Sequence, residues 1–224
     1  GWYRDADGTK AWNFDTDKVR ENIVLYAKWI PVEYEITYEL DGGTNSDRNP
    51  AVYTVESAVA LEDPVKTGYR FRGWYTAADD TGSKITQIPA GSSGARTLYA
   101  RWDALEQTYE IHHMLEIPDG SGYEREETVT AAALTGTTVS IGKEQSKAYT
   151  GFTFDESRLE DSTGVVPGEG TLVLKLYYSR NKYVVTIDSG TGADPEVQSV
   201  PYQGFVTEPE KPIREGYTFN GWYV

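Results

Sequence analysis

No cysteine occurs among the 224 residues, and there are only one methionine and two histidines. Without cysteine there are no disulfides, no thiolate metal sites and no thiol nucleophile. Each folded part must therefore bury enough apolar surface unaided. Positive charge is also scarce, with 21 Lys and Arg against 35 Asp and Glu, a formal net charge of −14. That balance argues against nucleic acid and against an anionic membrane surface, because both need clustered Lys and Arg. No run of 18 apolar residues exists, so no transmembrane helix and no membrane insertion are expected. Gly42-Gly43 and Gly190/Gly192 follow strand patterns, but no Lys-Ser/Thr pair follows to make a phosphate loop.

What the chain does have is aromatic residues and glycine, with 17 Tyr and 22 Gly. Tyr, Val, Thr and Gly are the residues of half-buried strands and their turns. In YEITYEL, Tyr34, Ile36, Tyr38 and Leu40 alternate with Glu35, Thr37 and Glu39, which is the pattern of a sheet with one buried face. In TLYARW, Leu98, Ala100 and Trp102 share a face. The expectation is a mainly β chain. The best helical candidates are short, Thr54–Leu61 and Asp15–Asn22.

Three independent word types recur with one period. Amphipathic strands begin at Tyr34, Tyr109 and Tyr183, spaced by 75 and 74 residues. The octapeptide Gly68-Tyr69-Arg70-Phe71-Arg72-Gly73-Trp74-Tyr75 returns as Gly216-Tyr217-Thr218-Phe219-Asn220-Gly221-Trp222-Tyr223. LYA[KR]W stands at 25–29 and 98–102. Gly-Trp-Tyr occurs three times, at 1–3, 73–75 and 221–223, and holds three of the six tryptophans. One complete unit is expected at 31–104, the C-terminal half of a unit at 1–30 and the N-terminal half of another at 181–224. Residues 105–180 form a unit of similar length with different words. The chain reads as a slice of a longer array of small modules in series, an elongated arrangement stabilised by each core and its neighbours. Gly73 and Gly221 interrupt strand patterns, which suggests a bulge that re-aims the following Trp.

The order GYxFxGWY, variable loop, LYAxW resembles the Listeria–Bacteroides repeat, the B-repeat of internalin-type surface proteins, over 1–30, 31–104 and 181–224. Residues 105–180, with Ala148-Tyr149-Thr150-Gly151-Phe152-Thr153-Phe154-Asp155 and the closing LVLKLYYSRN, resemble the MucBP repeat; Ala148 stands where that family often has Gly. The resemblance implies β-grasp-like modules in large secreted or wall-anchored bacterial proteins. These act as adhesins, as stalks for adhesive heads or as appendages of surface enzymes. It implies no catalytic residues and no cofactor. The expected function is a non-catalytic stalk or spacer segment of an extracellular adhesin-type protein, anchored through parts of the parent not present here. The alternative is a module binding glycan, mucin or host protein through the 105–180 unit or exposed aromatics.

Candidate chemistry is sparse. Adjacent strand residues point to opposite faces, so His112 and His113 do not chelate one metal; alternation from Tyr109 and Ile111 puts His113 inside. The acid pairs Glu126-Glu127 and Asp79-Asp80 lack a context that would set two carboxyls across a cleft. Asp5-Ala6-Asp7-Gly8 opens like a calcium loop, making Asp5 and Asp7 the metal candidates, but its twelfth position is Thr16 rather than Glu. Trp74, Tyr75, Trp222 and Tyr223 are the binding candidates: exposed, they would stack on sugar rings, whereas buried, they would hold each module closed. The half-units at the two ends are expected to complete each other, giving head-to-tail self-association or closure within one molecule.

Overall fold

Strands stabilise one another through cross-strand pairs, and the computed structural model arranges them in several small sheets. It describes residues 1–79 and 81–224, which form two compact units, Gly1–Asp103 and Ala104–Val224.

The first unit opens with two short strands, β1 (Trp2–Tyr3) and β2 (Tyr26–Ala27), paired antiparallel as Trp2↔Ala27 and Tyr3↔Tyr26. Tyr3 also bridges to Ala11, and the Trp12 N–H donates to the Trp2 carbonyl at 2.8 Å. The expected helix at 15–22 is the end of a turn followed by chain without regular structure. The Asn13 and Asp17 side chains explain this. Asn13 Oδ1 accepts the Asp15 N–H, and Asp17 Oδ2 accepts the Asn13 N–H, so side chains take up the donors that would start a helix.

The main sheet of this unit is built from β3 (Tyr34–Glu39), β4 (Val52–Tyr53), β6 (Tyr69–Tyr75), β7 (Lys84–Ile85) and β9 (Arg96–Ala104), in the order β4-β3-β9-β6-β7. A separate ribbon pairs β5 (Val59–Ala60) with β8 (Gln87–Ile88). β3 and β9 are parallel, running from Ile36↔Arg96 to Glu39↔Tyr99, so the strand last in sequence is central. The expected alternation holds: Ile36, Leu98 and Ala100 are buried while Glu35, Thr37 and Glu39 are exposed. Tyr53, Trp74 and Ile88 close this core. The expected helix at 54–61 is instead a turn running into β5. Ser57 Oγ accepts the Thr54 N–H and Thr54 Oγ1 accepts the Glu56 N–H, and Val59 pairs with Ile88.

Gly73 has φ +143°, a region L side chains rarely adopt, and a Cβ there would lie 2.4 Å from Lys84 Cε. Alternation breaks at this point. Phe71 and Trp74 both turn inward, with ring centroids 5.5 Å apart.

The second unit carries β10 (Glu106–Glu116), β11 (Tyr123–Leu134), β12 (Thr138–Ser140), β13 (Phe152–Phe154), β14 (Thr163–Val165) and β15 (Val173–Arg180). A four-stranded sheet has the order β11-β10-β15-β13, and β12 pairs with β14 apart from it. Here too the first and last strands are parallel, from Glu110↔Val173 to Leu115↔Tyr178. The core is Ile111, Ile141, Leu174, Leu176 and Tyr178. A single 3₁₀ turn, Lys143–Gln145, is the helical content among the described residues. The unit ends with the hairpin β16 (Lys182–Ile187) and β17 (Glu196–Pro201), paired from Lys182↔Pro201 to Ile187↔Glu196. Residues 202–224 hold no strand. The fold is mainly β throughout.

Candidate functional site

The recurring aromatics do not share one environment. Trp74 is 1% exposed; its Nε1–H donates to the Glu62 carbonyl at 3.0 Å, and its ring meets Tyr38 and Phe71. Trp102, brought up by β9, donates Nε1–H to the Leu40 carbonyl at 3.0 Å and lies edge-on to Phe71. Tyr75 lies at the end of β6 with the Arg101 guanidinium 4.3 Å from its ring centre. Trp222 is half-buried beside Phe219, Tyr223 is exposed, and Trp2 is 49% exposed. The Gly-Trp-Tyr copies therefore differ in how far their aromatic rings are buried.

His113 is buried, with Nδ1 2.8 Å from the Tyr178 hydroxyl, and its ring is stacked on Tyr178 and edge-on to Tyr149. The same hydroxyl accepts the Lys147 backbone N–H. Burial pushes the His113 pKa below the usual imidazole value, partly opposed by the Glu127 carboxylate. His112 points the other way and sits 2.7 Å from Glu110 Oε2. Glu127 pairs with Lys147 Nζ and accepts the Tyr149 hydroxyl at 2.9 Å. The bond from Lys147, then that from Tyr149, holds the Glu127 carboxyl below the usual carboxylate range. Burial, reinforced by Glu127, pushes Tyr149 well up. Sequence reading did not find this Glu127–Lys147–Tyr149 cluster. Glu127 lies on β11 while Lys147 and Tyr149 lie on the stretch leading into β13, and the fold rather than any local spacing brings the two together.

Glu126 is exposed on β11 while Glu127 turns inward. Asp79 caps its own loop, accepting the Thr81 N–H and hydroxyl; Asp80 lies outside the described residues. Asp5 accepts the Thr9 hydroxyl at 2.6 Å and the Thr9 and Lys10 N–H groups, which bring its pKa down to about 2. Asp7 lies within that turn, which the Gly8 N–H closes on the Asp5 carbonyl at 3.1 Å. Among the described residues no group of three or more His, Asp or Glu side chains is placed to hold a metal ion.

A dense polar arrangement forms at Arg180, where the second unit's sheet passes into the β16–β17 hairpin across one intervening residue, Asn181. The Arg180 backbone N–H donates to Glu116 Oε2 and its Nε to the Glu116 carbonyl, at 2.8 and 2.6 Å. One terminal nitrogen, Nη1, donates to the Tyr202 carbonyl and to Gln203 Oε1. The guanidinium lies 4.7 Å from the centre of the Phe152 ring. Tyr202 donates its N–H to the Asn181 carbonyl, and Asn181 donates to the Gly151 carbonyl. The Tyr202 ring packs so closely on Gly151 that a Cβ there would be 2.1 Å from Cδ1. In the sequence, Arg180 looks like one basic residue in SRNK; nothing local marks it.

Comparison with known proteins reaches the same words that carry this architecture. The model of the Listeria-Bacteroides repeat domain matches residues 1–28, 34–101 and 183–224. A protein of Evansella cellulosilytica named as a Gly-rich membrane protein is 30% identical over the whole of this chain, which spans 25% of its length. A second membrane protein of that organism is 32% identical over 69% of the chain. Internalin H of Listeria monocytogenes is 33% identical over 54% of the chain and 22% of its own length. The chain thus spans about a quarter or less of these relatives. In the described residues no helix is long and apolar enough to cross a membrane. With more than half of its residues matched in three stretches, the chain belongs to the Listeria-Bacteroides repeat domain family.

Proposed function

We propose that this chain is a non-catalytic spacer segment of an extracellular bacterial surface protein. The carrying observation is the Arg180 junction. One side chain ties β10, the turn after β17 and the Phe152 ring together across a one-residue link. A spacer needs successive modules held in a set orientation, and a flexible tether would not need such bonding. Residues 105–180 are taken as a MucBP-like module; the central parallel pair β10–β15, which repeats the arrangement of β3–β9, supports this. Anchoring to the wall lies with parts of the parent protein outside this chain. Among the described residues, the carboxylates whose pKa departs clearly from normal are all lowered: Asp5, Asp79, Asp119, Glu127, Asp155, Glu160 and Asp161. A sugar-cleaving general acid needs the opposite shift. The burial of Trp74 likewise favours a structural use of the recurring motif.

The test is a binding screen of the full chain against mucins, glycans and host-cell proteins, with and without calcium. The expected result is no saturable binding. Saturable binding that disappears on replacing exposed aromatic residues would overturn the spacer reading in favour of a host-binding module.

A further inference from the structure

The edge of a sheet is a row of backbone donors and acceptors open to another strand, and folds usually blunt it. In the 34–104 sheet the outer strands β4 and β7 have two residues each. In the second unit's four-stranded sheet one outer strand, β13, has three residues, but the other, β11, has twelve. β11 lies mid-chain, inside 105–180, so its open edge owes nothing to either end of the chain.

Two bonds fix which of its backbone groups face that edge. The Thr135 N–H donates to the Leu105 carbonyl, and on the far side of β10 the Glu110 N–H donates to the Leu172 carbonyl. The residues of β11 that bond inward to β10 are therefore those of Gln107↔Ala133, Tyr109↔Ala131, Ile111↔Val129 and His113↔Glu127. Thr128, Thr130, Ala132 and Leu134 turn their N–H and C=O outward. Among the described residues, only the Leu134 carbonyl of this set has a partner, the Thr137 N–H.

The two halves of the edge are guarded differently. At 123–127 the strand carries Glu124, Arg125, Glu126 and Glu127, and its register shifts opposite His113/Met114; both features discourage stray pairing. From 128 to 134 it reads Thr-Val-Thr-Ala-Ala-Ala-Leu, with no charge, no proline and no further shift. Thr128, Thr130, Ala132 and Leu134 are exposed on one face, and Val129, Ala131 and Ala133 are half-buried on the other.

We propose that residues 128–134 pair with the same residues of a second copy of this chain, antiparallel, about a two-fold axis at Ala131. The occupant must itself present a long free edge, and among the outer strands of the two main sheets β11 is the one that does. With this axis Thr128 faces Leu134, Val129 faces Ala133, Thr130 faces Ala132 and Ala131 faces Ala131. Outward-turned residues then meet outward-turned ones, as a ladder requires. The Ala131 pair suits the close approach of a non-hydrogen-bonded position, about 4.5 Å between Cα atoms. Glu127 and Glu126 fall opposite Thr135 and Gly136 of the second copy, so no acid faces an acid. Moving the axis to Thr130 or Val129 sets Glu126 against Leu134 or Ala132 and draws the shifted part of the strand into the ladder. The two sheets become one, and the isologous contact closes as a dimer. It is short, in the class of weak interfaces below about 1,200 Å². Each chain carries a net charge of −14, so salt strengthens the pairing by screening the repulsion.

The test uses the full chain, which has no native cysteine. T128C and L134C chains mixed under mild oxidation are expected to give a disulfide dimer of one of each, because hydrogen-bonded pairs with Cα atoms about 5.5 Å apart lie within disulfide reach. T128C alone is expected to give at least tenfold less, since the two Thr128 positions lie at opposite ends of the ladder. The mixed yield should rise with added salt. T130P in both chains is expected to lower it at least tenfold with the circular dichroism unchanged, because the Thr130 N–H bonds nothing in the monomer and an outward edge position tolerates proline. If T130P unfolds the chain, substitutions at exposed side chains replace it: T130E in one chain against A132E in the other is expected to cut the yield, and T130E against A132K to restore it. The proposal is overturned by no mixed dimer, by an equal yield from T128C alone, by an unchanged yield in folded T130P or in the T130E/A132E mixture, or by a yield that falls as salt is added. The inference goes beyond the spacer reading, and none of these outcomes bears on the host-binding screen that tests it.

Discussion

The same words fold differently in the 34–104 sheet and in the two segments at 1–30 and 183–224. Trp74 is 1% exposed and Trp2 is 49% exposed, although both follow Gly and precede Tyr. Gly73 and Gly221 share nearly the same positive φ, +143° and +134°, yet only Gly73 sits in a strand. Local conformation at the glycine is therefore a property of the motif, and burial of the tryptophan is not. Burial needs β9 between β3 and β6, and those strands come from positions far apart in the chain.

That contrast predicts mutational effects of very different size. W74A removes a fully enclosed indole with its hydrogen bond and should destabilise the 34–104 fold by about 3–5 kcal/mol. W222A should cost less, about 1–2 kcal/mol, because Trp222 is only half-buried. Denaturant unfolding followed by far-UV circular dichroism would read both, and equal losses would break the comparison. The next effect is G73A, which combines an unfavourable φ with a collision against Lys84, for about 1–3 kcal/mol. G221A has the same φ but meets nothing closer than 3.8 Å, so its loss should be smaller. A G221A loss as large as that of G73A would show that the turn alone, without the neighbouring strand, sets the cost.

The smallest effect separates the 34–104 sheet from the sheet at 106–180. The former contains no histidine, while the latter buries His113. A folded-state pKa below the ordinary value of 6.5 means that the folded protein prefers the neutral ring. The unfolded state then binds the proton first on acidification. Stability from this group is full above pH 6.5 and falls as pH drops through 6.5 toward the lowered value, with a slope of at most about 1.4 kcal/mol per pH unit. Glu127, Lys147, Tyr149 and Tyr178 surround the ring; only Glu127 adds a second loss, at lower pH, as its depressed carboxyl protonates. H113Q should flatten the slope between pH 7 and 5.5. An unchanged slope would place the acid sensitivity elsewhere.

Several features were readable in advance from single residues. The alternation of Tyr34, Ile36 and Tyr38 gave their burial, because a strand's period of two is a local property. Gly73 announced the break that turns Trp74 beside Phe71. His113 inside followed from the same period, whereas His112, on the other face, is largely covered beside Glu110 rather than open. The two helices expected at 15–22 and 54–61 failed for an equally local reason: Asn13, Asp17, Thr54 and Ser57 bond to nearby backbone and favour turns. The Glu127–Lys147–Tyr149 cluster and the Arg180 junction were not readable, since no spacing or motif links Glu116, Arg180 and Tyr202.

The sequence by itself determined the mainly β class, the buried faces of the alternating strands, the repeat period and the family. These rest on side-chain periodicity and on rare residues recurring in order, both of which are properties of short stretches. The tertiary structure decided which strand is central, which Gly-Trp-Tyr copy is enclosed, and how one arginine ties a sheet to the hairpin after it. Those outcomes depend on parallel pairing between segments some sixty residues apart, such as Ile36 with Arg96 and Glu110 with Val173. Contacts of that kind are set by which surfaces are present to meet.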